Sequence, residues 1–175
     1  MGDGRKMTRC IFDLESTGLL DELFNRIICI CTYDIETKET KTFIGEDEGK
    51  ILDDFFNYIN LLKWPSLVGY NIDSFDIPFI IRRAVINKKR VPRFFNLDLR
   101  KIVNGFKYSY NKMEKGRLKD WAAVLGITVN SSPGSEMFKL YSEKRFDEIE
   151  AHCLEDIEIT KKLYEHADAA GLVSN

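Results

Sequence analysis

The stretch CIFDLESTGL, residues 10–19, constrains this chain more than any other part of it. Cys10, Ile11 and Phe12 form an apolar run of the kind found where a strand is covered on both faces. Asp13 and Glu15 follow two residues apart, and because strand side chains alternate, both project from the same face. Gly18 then breaks the strand. A buried strand that ends on two adjacent carboxylates demands something to neutralise them, since unpaired buried charge is costly.

The remaining pattern supplies a sheet for that strand. Strands are expected at 7–15, 25–35 and 40–45, the last two joined by the polar ETKE as an antiparallel meander. EDEGKILDDFFNYINLLK (46–63) reads as a helix, with acids in its first turn and Ile51, Phe55, Tyr58, Ile59 and Leu62 as its apolar stripe. SLVGYN (66–71) is a short buried strand. The helix FDIPFIIRRAVINKK (75–89) follows, with Asp73 as the expected N-cap and Pro78 tolerated in the first turn. RFFNLDLRKI (93–102) holds a short strand or extended piece, and FKYSYN (106–111) places Phe106, Tyr108 and Tyr110 on one strand face. Helices at 117–127, closed by Gly126, at 135–143 and at 146–169 complete the series. The expected fold class is α/β, a mixed central sheet of about five strands flanked by helices. A single domain over 1–175 is expected, with 1–6 as a flexible lead-in and 171–175 as a tail. Ligand sites in such sheets lie at the carboxyl ends of strands, where Asp13 and Glu15 stand.

Charge is unevenly distributed. Residues 82–119 carry thirteen Lys or Arg against Asp98 and Glu114, a net +11 that leaves −13 for the rest of a chain whose net charge is −2. Such polarity suits a phosphate backbone on one side and metal ions on the other, although a solvated lysine-rich surface has the same composition. The four cysteines, at 10, 29, 31 and 153, match no zinc spacing and read as buried free thiols in a reducing, intracellular setting. No apolar run reaches the ~18 residues that span a bilayer, and MGDGRKMTR lacks a secretory h-region. The expected location is cytoplasmic or nucleoid-associated, with no membrane partner.

Two further acids stand in unusual places. Asp76 opens a helix directly after a buried strand. In the last helix, Ile149, Cys153, Ile157, Thr160, Leu163 and Tyr164 form a stripe at helical spacing, and His152 and Asp156, four residues apart, lie on it. A core-facing aspartate is expensive unless paired or metal-bound. Asp13, Glu15, Asp76 and Asp156 are thus expected to face inward from three separate elements. Left unneutralised they would raise one another's pKa values and oppose folding. All-oxygen ligation suits Mg²⁺ or Mn²⁺, and two such ions ~3.5–4 Å apart form a clamp for in-line phosphoryl displacement.

At these residues the chain resembles the DnaQ-like 3'–5' exonucleases of the ribonuclease H-like superfamily, also called the DEDD family. DLESTGL is similar to the first family motif at Asp13 and Glu15, NIDSFD to the second at Asn71 and Asp76, and HCLED occupies the place of the third, ending at Asp156. GRLKDWAAVLGI resembles the helix that precedes that motif, and the likeness runs over about residues 7–166. His152 precedes Asp156 by three intervening residues, the spacing of the tyrosine branch with the residue type of the histidine branch. Overall the chain is most similar to stand-alone relatives of family B DNA polymerase proofreading domains. The resemblance implies a ribonuclease H-like fold and removal of nucleoside 5'-monophosphates from single-stranded 3' ends of DNA or RNA, DNA being the expected substrate. It implies two Mg²⁺ or Mn²⁺ ions on the four acids, and proteins of replication or repair as partners. His152 is then a candidate general base or water orienter, with neither role as the third option. The resemblance places Leu19 and Phe75 near the terminal nucleotide and Asn71 near the second-motif acid, although Leu19 and Phe75 equally suit a core and Asn71 a turn. Arg82 and Arg83, with Lys88, Lys89 and Arg90, would line the substrate path, and Tyr108, with Phe106 and Tyr110, would either stack on unpaired bases or fill a small satellite core. A weak or inactive nucleic-acid-binding or docking domain on the same fold is the alternative, and an endonuclease is a third reading.

Overall fold

The computed structural model describes residues 7–18, 23–104 and 116–173. Its central strand, β1 (Arg9–Ser16), is buried along its length except at the partly exposed Asp13. On one side β1 pairs antiparallel with β2 (Ile27–Asp34), which pairs antiparallel with β3 (Thr40–Ile44). On the other side β4 (Ser66–Gly69) and β5 (Phe95–Asp98) add in parallel, giving the five-stranded order β3-β2-β1-β4-β5. This is the expected α/β architecture, with the mixed five-stranded sheet as its middle layer.

Alternation in β1 divides the core in two. Cys10, Phe12 and Leu14 face one layer, where they meet α1 (Glu48–Leu61) and α2 (Asp76–Ile86). Ile11 and the β2 residues Cys29 and Cys31 face the other. There they are covered by two later helices, α5 (Met137–Ser142) and α6 (Phe146–Ala169), and α3 (Leu99–Val103) and α4 (Leu118–Val124) border them. Phe55 of α1 stacks on Phe12 at 5.4 Å between centroids and takes Phe43 of β3 edge-on at 5.7 Å. Full burial of a side chain such as Phe12 or Phe55 stabilises the fold by about 1.5–3 kcal/mol, and the half-buried Phe43 extends the hold of α1 from β1 to β3.

Several boundaries differ from the sequence reading for identifiable reasons. β4 ends at Gly69, not at Asn71. A Cβ on Gly69 would lie 2.8 Å from the Phe12 carbonyl and 2.2 Å from Ile72, so only glycine lets the chain turn back this close to β1. Asn71 then takes φ +66°. The N-cap of α2 is Phe75, with no side-chain cap bond, and Asp73 does not cap it. The Asp73 carboxylate is held instead by Asn96 and Lys101. Residues 93–102 divide into β5 and α3, with Asp98 at the junction. The expected tail does not begin at Gly171, because Val173 is 3% exposed and belongs to the α6-side core. Residues 106–111 lie outside the described residues. Among those described, no helix is long and apolar enough to cross a membrane.

Candidate active site

β1 delivers Asp13 and Glu15 to the α6 side of the sheet, as its alternation requires. The β1–β2 register shifts between Glu15 and Ser16, a bulge at the carboxyl end of the central strand. Asp76, in the first turn of α2, reaches back to β1, and its Oδ1 accepts the Leu14 N–H at 3.3 Å. From the opposite layer α6 contributes His152, whose Nε2 lies 3.5 Å from Glu15 Oε1 and 3.9 Å from Asp156 Oδ2.

The acids act on one another electrically. Burial drives the Asp13 carboxyl well above the ordinary range, and the negative charges of Asp156, Asp76 and Glu15 push it further. Glu15 is raised in the same way, by burial and then by Asp156 and Asp76. Asp76 is pushed up to about 7, mainly by burial, although backbone N–H groups oppose the rise. Asp156 goes to about 6, again through burial. Every shift favours the neutral acid.

Divalent ions fit this constellation. Asp156 Oδ1 is buried with no hydrogen-bond partner among the described residues. One ligand atom from each of Glu15, His152 and Asp156 lies within 4.8 Å of the others. Carboxylate oxygens select hard cations. A stability prediction follows. Between pH 4 and 7 the folded metal-free protein holds more protons at these carboxyls than the unfolded chain, so their contribution is present in full below about pH 4 and is lost as pH rises through 6 and 7. Thermal melts of metal-free protein will show stability falling over that window, and Mn²⁺ will reverse the fall at pH 8. A melting temperature indifferent to Mn²⁺ at pH 8 would count against metal ligation.

A sequence model of the RNase_H superfamily matches residues 10–168. The chain belongs to the RNase H superfamily. Comparison with curated protein sequences returns no match. Among solved structures, its fold is similar to that of the family B DNA polymerase from the hyperthermophilic archaeon Pyrobaculum calidifontis. The TM-score is 0.77 over 95% of this chain, at 20% identity. The likeness spans 25% of the polymerase chain and is one of fold.

Within this RNase H-like frame, His152 has a defined orientation. Ser131 Oγ stands 2.8 Å from His152 Nδ1 and also contacts Glu155 Oε2. The Glu155 carboxylate is held by the N–H groups of Asn130 and Ser131, so it can only accept. Ser131 therefore gives its proton to Glu155 and accepts one from His152 Nδ1. That leaves the Nε2 lone pair directed at Glu15 and Asp156. Burial, followed by the nearby Lys119 charge, lowers the His152 pKa below 6.5, so the ring is neutral at pH 7.

Two supporting residues were not singled out from sequence. Asp98, 5% exposed at the end of β5, accepts the N–H groups of Asn71 at 2.8 Å, Asp73 at 3.2 Å and Arg100 at 3.0 Å. It thereby fixes the turn that presents Asp76. Its one sequence signal is an acid ending a short apolar strand. Lys119, exposed on α4, lies near enough to the acids to lower the pKa values of Glu15 and Asp156. In the sequence it was one of thirteen cations in the basic segment.

The remaining sequence candidates divide clearly. Phe75 stands immediately before Asp76, partly buried and 5.4 Å from the Phe79 ring. Arg82 is exposed on α2. Arg83 is no substrate-lining cation: it is 7% exposed and paired with Glu48 at 2.6 Å across the α1–α2 interface. Asn71 takes the turn position that its residue type also allowed, and its side-chain oxygen accepts from Arg100 at 2.7 Å. Much of the basic segment is likewise engaged, with Lys89 on Asp53 and Lys101 on Asp73. Leu19 and Tyr108, with Phe106 and Tyr110, lie outside the described residues.

Proposed function

We propose that this RNase H-like domain is a metal-dependent 3'–5' exonuclease of the DnaQ-like (DEDD) type. Its substrate is a single-stranded 3' end, DNA in preference to RNA, and its products are nucleoside 5'-monophosphates. The observation that carries this reading is the convergence of Asp13, Glu15, Asp76 and Asp156 from β1, α2 and α6, with an orphaned Asp156 oxygen among them. These four carboxylates would hold two Mg²⁺ or Mn²⁺ ions. When bound, such ions supply Lewis-acid stabilisation of phosphoryl charge and lower the pKa of water.

The chain's own residues do the rest. His152, neutral and protonated on Nδ1, offers Nε2 to take the proton of an attacking water, and Ser131 and Glu155 hold that tautomer. Lys119 places a positive charge beside the acids, where phosphate oxygens would gather. Phe75 would pack against the terminal nucleotide, and exposed Arg82 would add charge on the same helix. Leu19 and Tyr108 remain proposed contacts, and replication or repair proteins remain the proposed partners.

The test is digestion of 5'-labelled single strands of DNA and RNA with Mn²⁺. Laddering from the 3' end, with mononucleotide release, is the expected result. A mobility shift without laddering would replace this reading with a binding domain, and cutting of a circular substrate would make it an endonuclease. If Nε2 is the base, the rate at saturating Mn²⁺ falls on an acid limb centred below pH 6.5. His152→Phe should lower the rate ~10²–10⁴-fold and remove that limb. An unchanged pH–rate profile in the variant would take the base role from His152.

A further inference from the structure

Behind the carboxylates lies a second cluster that hydrolysis does not use. Cys29 and Cys31 are two apart on β2 and project from the same face. Cys153, on the buried face of α6, meets them there. All three side chains are fully buried, and their sulfurs lie within 4.8 Å of one another. None is in a disulfide. Thr42 Oγ1 of β3 stands 3.6 Å from Cys31.

The spacing is that of a ligand set. With metal–sulfur bonds of ~2.3 Å and tetrahedral angles, two ligating sulfurs stand ~3.8 Å apart. The Cys29 and Cys31 sulfurs are separated by 3.8 Å. A sulfur and a carboxylate oxygen on one tetrahedral ion stand ~3.5 Å apart, and Cys153 Sγ is 3.5 Å from Asp13 Oδ2. We propose that Cys29, Cys31 and Cys153 form a three-thiolate site for a soft d¹⁰ cation of the Zn²⁺ class, with Asp13 within reach as the fourth ligand. Soft sulfur ligands reject Mg²⁺ and Mn²⁺, so the two sites sort cations by chemistry although they lie side by side. Three thiolates and a divalent ion sum to −1, and each thiol entering the site releases its proton to solvent. Recruiting Asp13 as the fourth ligand would draw it from the oxygen site, so a soft cation would raise the Mg²⁺ concentration needed for activity.

Cd²⁺ is the probe, added to the full chain under a non-thiol reductant with saturating Mg²⁺ and incubated until the signal is constant. One equivalent should bind, with a thiolate-to-cadmium charge-transfer band in the ultraviolet and a rise in melting temperature. Cys31→Ser and Cys29→Ser should each weaken binding at least ~100-fold, beyond the usual loss from an outer-shell change. Cys10→Ser is the control, because Cys10 sits on the opposite face of the sheet and its loss should change nothing. Asp13→Asn should keep the band, which separates this site from the exonuclease reading. Absence of a band in the wild-type protein, or a band equally strong in Cys31→Ser, would overturn the proposal. Should the serine variants fail to fold, the wild-type band and Cys10→Ser still decide it.

Discussion

Replacing Asp13 by Asn will leave the protein folded and lower the proposed Mn²⁺-dependent hydrolysis by about 10²–10³-fold, a loss on the scale of removing one preorganised transition-state contact. The same substitution will raise the melting temperature of metal-free protein at pH 8. Asp13 feels burial first and then three neighbouring carboxylates, so an uncharged isostere removes repulsion that the folded state otherwise bears. Opposite movements of activity and metal-free stability are the mark of a carboxylate retained for function. Parallel losses of both would make Asp13 an ordinary structural residue, and wild-type hydrolysis by the variant would refute the site assignment. The increase in stability caused by Mn²⁺ should also shrink in the variant.

Breaking the Glu48–Arg83 pair will have the largest effect on stability. Both side chains are nearly inaccessible, and Glu48 is fully engaged. Its Oε1 accepts the Ile27 N–H at 2.7 Å and Arg83 Nε at 2.8 Å, and its Oε2 accepts from Arg83 at 2.6 Å and Asn87 at 2.8 Å. Glu48→Ala leaves the Arg83 charge buried opposite a void, a change that typically costs about 3–5 kcal/mol. In a chain of this size that lowers the melting temperature by about 10 °C or more. The loss should persist in high salt, because buried pairs are poorly screened. The double variant Glu48→Leu/Arg83→Met should recover much of it, since an apolar pair carries no desolvation cost. Arg83 also donates to the Leu23 carbonyl at 3.0 Å, which ties this pair to the chain leaving β1. A fall of less than about 2 °C in Glu48→Ala would refute the account.

The site was legible where one element's periodicity determined it. Two residues of separation on a strand and four on a helix are local geometry, so the inward direction of Asp13, Glu15, His152 and Asp156 could be read without a partner structure. Asp76 was legible because an acid opening a helix after a buried strand is locally conspicuous. Asp98 was not: its work consists of hydrogen bonds to a turn 25 and 27 residues earlier in the chain, and no local pattern encodes a partner at that distance. Arg83 misled for a related reason. An arginine in a basic run looks solvent-bound until α1 packs a carboxylate against it.

By itself, then, the chain's residue pattern settled which faces of β1 and α6 are buried and which side chains those faces present, because backbone geometry repeats every two or 3.6 residues and tolerates little slippage where one face is apolar. Tertiary packing alone decided what those side chains meet. Laying α6 across β1 and β2 brought Cys153 to Cys29 and Cys31, Ser131 to His152, and Asp156 to Glu15. Such encounters depend on how two helical layers dock on a sheet, and docking is selected by the summed burial of the whole core, to which no short stretch of sequence gives access.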